Sequence, residues 1–147
     1  MIKRYLGVIM FIFFSCNKYE PFCDCIDFST PTPISLIYPS NFPTPNIPDS
    51  NPLTEEGVNL GRHLFYDPIL SSDNTVSCAS CHKQEYAFSD NIPFSSGVNG
   101  AQGMRHSQTL INVAFQETFD WDGKSNSLEE QAVRPIFNEI ELHNNNW

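Results

Sequence analysis

Between Thr75 and Gln84 the chain reads TVSCASCHKQ, which places the thiols of Cys78 and Cys81 and the imidazole of His82 within five positions. Four chemistries use such groups: a zinc half-site, a disulfide, a redox dithiol and a covalently attached porphyrin. Zinc asks for four ligands, usually as two pairs, and His63, His106 and His143 supply no second pair at matching spacing. A thioredoxin-type dithiol belongs in a βαβ setting, and the chain has no alternating apolar runs to make strands. A disulfide between Cys78 and Cys81 is the plain structural alternative. The Cys-x-x-Cys-His string is, however, the attachment signature of c-type haem. Two thiols three residues apart reach the two vinyl groups of one porphyrin as thioethers, and the next imidazole falls under the iron as proximal ligand. Haem c is the reading the rest of the chain supports.

The elements around this string must hold it. LTEEGVNLGRHLFYDP, residues 53–68, predicts a helix: Thr54 caps it, Glu55 and Glu56 suit its positive end, and Pro68 lies past its finish. Val58, Leu60, Leu64 and Phe65 give it an apolar stripe. A loop, SSDNT, leads into the Cys-Cys-His segment. Residues 83–104, with Gly97, Gly100 and Gly103, read as loop. SQTLINVAFQ, residues 107–116, reads as helix. SNSLEEQAVRPIFN begins with a Ser127 cap and Glu130 three residues on, a capping box, and Pro135 ends or kinks that helix. The expected fold is therefore all-α and loop-rich. So many loops pack poorly unless something large and apolar fills the centre.

At 147 residues the chain is about one domain long. Its formal charge of -9 and pI near 4.6 argue against a nucleic-acid partner, since nothing neutralises phosphate. The acidity serves solubility, or an acidic face for a basic protein partner. The chain opens MIKRYLGVIMFIFFSC. Lys3 and Arg4, then an apolar run from Tyr5 to Phe14, then Ser15 and Cys16, are the parts of an export signal. The run is about half the length a membrane-spanning helix needs. Ser-Cys at its end resembles a bacterial lipobox, which would make residues 1–15 the signal and Cys16 a lipid anchor; the plain alternatives are an ordinary signal cut elsewhere or an uncleaved anchor. Export also puts cysteines where strays oxidise; the sequence assigns no role to Cys23 and Cys25. Residues 26–52 carry seven prolines and cannot be helical. With the preceding segment they form a Pro-rich tether over 16–52. Ile34, Leu36, Ile37, Tyr38 and Phe42 also suit it to wrapping along the domain surface.

LGRHLFYDPILSSDNTVSCASCHKQEYAFSD, then GVNGAQGMRHSQTLINVAF, then WDGKSNSLEEQAVRPIFNEIEL closely resemble the bacterial di-haem cytochrome c peroxidases and their MauG-like relatives. The likeness runs from about Glu55 to His143. It implies that 53–147 is the N-terminal, peroxidatic, cytochrome c-like haem domain of such an enzyme. Cys78 and Cys81 would carry the haem and His82 would be its proximal ligand. The family's distal Gln and Glu match Gln131 and Glu141, its Trp between the two haems matches Trp121, and a Pro near the distal pocket matches Pro135. The implied activity is reduction of hydrogen peroxide to water with electrons from a small periplasmic donor, a cytochrome c or cupredoxin.

Three departures stand out. Many members place a second axial histidine 16 residues after the proximal one. Val98 stands there and cannot ligate iron, so the expected sixth site is open and not gated by a histidine at this position; His106 or His63 could substitute, but each reads rather as a surface or supporting residue. The family often has Asn after the Arg of this loop, serving calcium; here His106 follows Arg105, which puts calcium in doubt. The family also has a second Cys-x-x-Cys-His domain, and this chain reaches Trp147 without one. The expectation is the N-terminal portion of a longer enzyme, which alone binds haem and turns over poorly. The alternative is a monohaem electron carrier or haem-binding lipoprotein without peroxidase activity, for which Met104 is the downstream sulfur donor. A MauG-like role, oxidising residues of another protein, uses a Tyr ligand on the second haem, outside this chain.

Overall fold

In the computed structural model, which describes residues 30–145, α1 spans Glu55–Tyr66. Thr54 caps it, its Oγ1 accepting from the Gly57 amide at 3.0 Å, and Glu55 and Glu56 lie in its first turn. The expected signal, Cys16, Cys23 and Cys25 lie outside the described residues.

A 3-10 turn, Pro68–Leu70, follows α1. The next loop is stapled by its own short polar side chains. Buried Ser71 donates to the Pro68 carbonyl at 2.9 Å and accepts from the Thr75 amide at 3.1 Å. Asp73 accepts from the Thr75 amide and hydroxyl at 3.0 and 2.6 Å, which holds its carboxyl below the usual range. The loop delivers the chain into α2, Cys78–Cys81, which packs against α1.

Residues 83–104 are loop, with 3-10 turns at Gln84–Tyr86 and Val98–Gly100 and with isolated bridges Lys83–Ser89 and Ser96–Gln102. The helix expected over 107–116 does not form. Only Val113–Phe115 turns, as 3-10, after Asn112 in the left-handed region at φ 58. Its first carbonyls are taken by distant donors, Ser89 Oγ on Ser107 O and His82 Nδ1 on Gln108 O. Tertiary bonds outweigh propensity here.

The third helix, α3, spans Leu128–Phe137 and is capped by Ser127, whose Oγ accepts from the Glu130 amide at 3.1 Å. The return bond of the capping box shifts by one residue: Glu130 Oε2 accepts from the Asn126 amide at 2.8 Å. Pro135 neither ends α3 nor stands mid-helix; the helix runs on to Phe137. From the last turn its missing N–H removes only one bond, and its carbonyl accepts from Leu142 at 3.2 Å as the chain folds back.

Among the described residues the buried hydrophobic side chains are Val98, Phe119, Ile136 and Leu142. The proline-rich segment from 30 onward is held against α1, Glu129 and Phe115. Thr32 gives its amide and hydroxyl to Glu56, each at 2.9 Å, and Asn51 donates to Glu129 at 3.0 Å. Tyr38 and Phe42 meet Phe115 edge-to-face at 5.4 and 4.9 Å. No helix of the described residues is long and apolar enough to cross a membrane. The architecture is short helices and 3-10 turns joined by long loops.

Candidate haem-attachment site

α2 is one turn long, and its shape follows from its own serines. The Ser77 amide donates to Ser80 Oγ at 3.0 Å, and the His82 amide closes the turn on the Cys78 carbonyl at 2.9 Å. Residues three apart on a helix share a face, so Cys78 and Cys81 stand together, both free thiols and half-buried. Burial raises both pKa values. The charge of Glu141 adds to the rise at Cys78; at Cys81, Asp90 and Glu141 add to it while Ser107 and Lys83 oppose it. Both sulfurs are therefore neutral thiols at neutral pH, and Glu141 is their common negative neighbour.

His82 leaves the helix end with its ring anchored. Its Nδ1 lies 2.9 Å from the Phe88 carbonyl and 3.0 Å from the Gln108 carbonyl. Carbonyls only accept, so Nδ1 carries the hydrogen, and in the neutral ring Nε2 is then the nitrogen with the lone pair. That is the tautomer a metal-binding histidine needs, with the anchor that usually supports it. Two thiols on one helical face beside an imidazole with a free Nε2 fit a thioether-bound haem. Among the described residues no group of three or more His, Cys, Asp or Glu is arranged to hold a metal ion by itself.

The other predicted residues gather around Asp120 and Arg134. Ser125, fully buried, receives Arg134 at 3.2 Å and donates to Gln131 Oε1 at 2.8 Å. The serine has one hydrogen and Arg134 only donates, so the Gln131 oxygen faces Ser125 and its NH2 remains a donor. Arg134 also pairs with Asp120 at 3.6 Å. The Glu141 carboxyl feels both charges. Burial raises its pKa, Asp120 adds to the rise, and Arg134 opposes it, although much of the side-chain surface remains open.

Glu141 is placed by backbone. Its carbonyl accepts from the Val98 amide at 2.9 Å, and Gly97 presses against it. A Cβ built on Gly97 would lie 1.8 Å from the Ile140 carbonyl oxygen and 2.6 Å from that of Glu141, so only glycine fits. Val98, where the resemblance puts a second axial histidine, is 2% exposed. Trp121 is 49% exposed. Its amide donates to Asp120 at 2.7 Å, its indole N–H donates to the His106 carbonyl at 3.0 Å, and its ring meets the His106 ring at 5.0 Å. Arg105 and Lys124 flank it by pairing with Asp122 at 2.7 and 2.8 Å. Met104 is 82% exposed, and His63 is exposed in the last turn of α1.

Sequence reasoning passed over Ser125, Arg134, Asp120 and Gly97. Gly97 carried a signal, a glycine in a loop, but not its target. The other three carried none, because their partners are set by folding.

Comparison with known proteins shows the family and similar solved structures. The family model for di-haem cytochrome c peroxidases matches residues 55–147. The chain is 40% identical over 92 residues to cytochrome c551 peroxidase of Pseudomonas aeruginosa, covering 63% of this chain and 27% of that protein. It is 43% identical over 89 residues to the methylamine utilization protein MauG of Methylorubrum extorquens, covering 60% and 25%. Among solved structures, a MauG-like protein associated with microbial copper homeostasis superposes with TM-score 0.70 at 38% identity, over 74% of this chain and 32% of that one. The diheme peroxidase BthA of Burkholderia thailandensis gives TM-score 0.55 at 28% identity, over 60% and 26%. The chain spans about a quarter of the length of the curated relatives it matches.

Proposed function

Because this chain belongs to the di-haem cytochrome c peroxidase family, we propose that residues 53–147 form a haem c domain at which hydrogen peroxide is reduced to water. Cys78 and Cys81 would hold the porphyrin and His82 Nε2 the iron. The haem, when bound, supplies an iron that accepts electrons and passes them to peroxide. Each peroxide consumes two electrons and two protons and yields two waters. The electrons come from a small periplasmic donor, a cytochrome c or cupredoxin.

The chain's own residues manage protons and orientation. The Glu141 carboxylate takes the proton from the inner peroxide oxygen and returns it to the outer one, which leaves as water. Its raised pKa, from burial and Asp120, suits it to both tasks. Gln131, its oxygen held by Ser125, offers its NH2 to orient peroxide and stabilise developing charge. Trp121 relays electrons. The chain is exported and held to the membrane only through lipid on Cys16.

The observation that carries this reading is His82: its Nδ1 is committed to two carbonyls beside two neutral thiols on one helical turn. The test is to mature the protein with export-linked haem-ligation machinery, record the ferric spectrum and mix it with peroxide. The expected result is covalent haem, high-spin with an open sixth site, reacting with peroxide. Colourless protein whose sulfurs still react with alkylating agents would sink the site. A low-spin, six-coordinate spectrum would favour the monohaem carrier, whose sulfur donor, Met104, would first have to leave its 82% exposed position.

A further inference from the structure

We propose that Thr109 is a positioning residue for His82, locking together the two carbonyls that receive its Nδ1–H. The proposal rests on His82 being the proximal ligand.

The two acceptors come from separate loops. The Phe88 carbonyl is delivered by a turn in which Ala87 and Phe88 both take left-handed backbone, at φ 59 and 56. For non-glycine residues this costs about 1–2 kcal/mol each, so the turn persists only where its surroundings over-determine it. From within, the Ala87 amide bonds Gln84 O at 3.1 Å, the Phe88 amide bonds Lys83 O at 2.9 Å, and the Lys83 amide bonds Ser89 O at 2.8 Å.

From outside, two hydroxyls tie the turn to the 107–109 segment: Ser89 Oγ donates to the Ser107 carbonyl, and the other belongs to Thr109. Its Oγ1 donates to the Ala87 carbonyl at 2.6 Å and accepts from the Ile111 amide at 3.3 Å. The Ala87 carbonyl belongs to the peptide that joins Ala87 to Phe88, so gripping it restrains the direction of the Phe88 carbonyl. The peptide nitrogen of Thr109 is bonded to the Gln108 carbonyl carbon, and that carbonyl is the second acceptor. Thr109 thus follows one acceptor directly through its own peptide bond, and its side chain holds the peptide that precedes the other. The Ser89–Ser107 bond holds the two loops near each other, and the Thr109 hydroxyl sets the direction of the Ala87–Phe88 peptide within that spacing.

The consequence is electronic. An Nδ1–H shared between two carbonyls makes the imidazole a stronger donor at Nε2. A stronger axial donor favours ferric over ferrous iron and lowers the potential. Removing the Thr109 hydroxyl releases the Ala87 side of the turn while Ser89 still holds the other side to Ser107, so the Phe88 carbonyl turns partly away and the Gln108 carbonyl becomes the better-held acceptor.

The test compares full-length, haem-loaded wild type with Thr109→Val and Thr109→Ser. Thr109 is exposed, so valine disturbs no core; Thr109→Ala repeats the deletion should valine not fold. The ferrous iron–histidine stretching band and the midpoint potential are measured at equal haem content. In Thr109→Val the band is expected to shift down and the potential up, and Thr109→Ser to keep both at wild-type values. A band and potential unmoved in Thr109→Val, or moved as far in Thr109→Ser, would overturn the role of Thr109. A wild type with no iron–histidine band would overturn the proximal assignment itself, which keeps the two failures distinct.

Discussion

Glu141 shows at the residue scale how a site can weaken the fold that carries it. Burial and Asp120 favour its neutral form in the folded state. The folded protein therefore holds this proton to higher pH than the unfolded chain does. Between the ordinary carboxylate value and the raised one, stability falls as pH rises, and above that window the ionised group burdens the fold. Glu141→Gln should melt with wild type near about pH 4 and above it near about pH 7, as thermal unfolding across pH would show. The same variant should react with peroxide about a hundredfold more slowly or worse, the usual cost of losing a general acid–base. A Glu141→Gln protein that kept its peroxide rate would remove Glu141 from the mechanism. Ser125→Ala probes Gln131 indirectly. It removes the hydroxyl that Arg134 and the Gln131 oxygen share; exposed Arg134 keeps water and Asp120 as partners, so the cost is about 1 kcal/mol, and it lets the amide turn. Stopped-flow mixing should show a slower peroxide reaction that Ser125→Thr partly restores.

At the scale of elements, α1 and α3 were legible because their signals are local. Thr54 and Ser127 accept from amides three residues ahead, as their spacing demands. Thr54→Ala should cost about 1 kcal/mol in denaturant unfolding. Residues 107–116 were not legible, because their fate rests on donors at Ser89 and His82, which no helical pattern reveals. Glycines divide the same way. Gly100 lies at φ 71 with open space around it, so Gly100→Ala should cost about 1 kcal/mol of backbone strain and spare the peroxide reaction. Gly97→Ala meets backbone oxygen at 1.8 Å. It should lower the melting temperature and the peroxide rate together, since the segment it displaces carries Glu141. Equal effects from the two substitutions would contradict this.

For the whole molecule, the governing fact is a small core. Four buried hydrophobic side chains among the described residues must organise long loops, where a domain normally sets hydrophobic burial against large conformational entropy. Protein produced without haem ligation should therefore unfold broadly at low temperature, with weak near-ultraviolet dichroism. Haem-loaded protein should unfold cooperatively and well above it; equal melting profiles would show that the chain needs no such centre. The segment from residue 30 to 52 is held in part by Phe115, which both Tyr38 and Phe42 meet. Phe115 is half-buried, so Phe115→Ala should cost about 1–2 kcal/mol, read by thermal unfolding and by easier proteolysis of that segment.

What the sequence determined by itself was whatever lies within one turn of chain: the grouping of Cys78, Cys81 and His82, the caps at Thr54 and Ser127, and the exclusion of helix from the proline-rich segment. These depend on neighbours whose spacing is written in the chain. Only the tertiary structure decided which carbonyls hold the His82 ring, which hydroxyl orients Gln131, why position 97 admits no side chain, and that 107–116 stays unwound. Each of those rests on partners brought together from distant loops, and a hydrogen bond or a clash between such partners leaves no periodic trace in the order of residues.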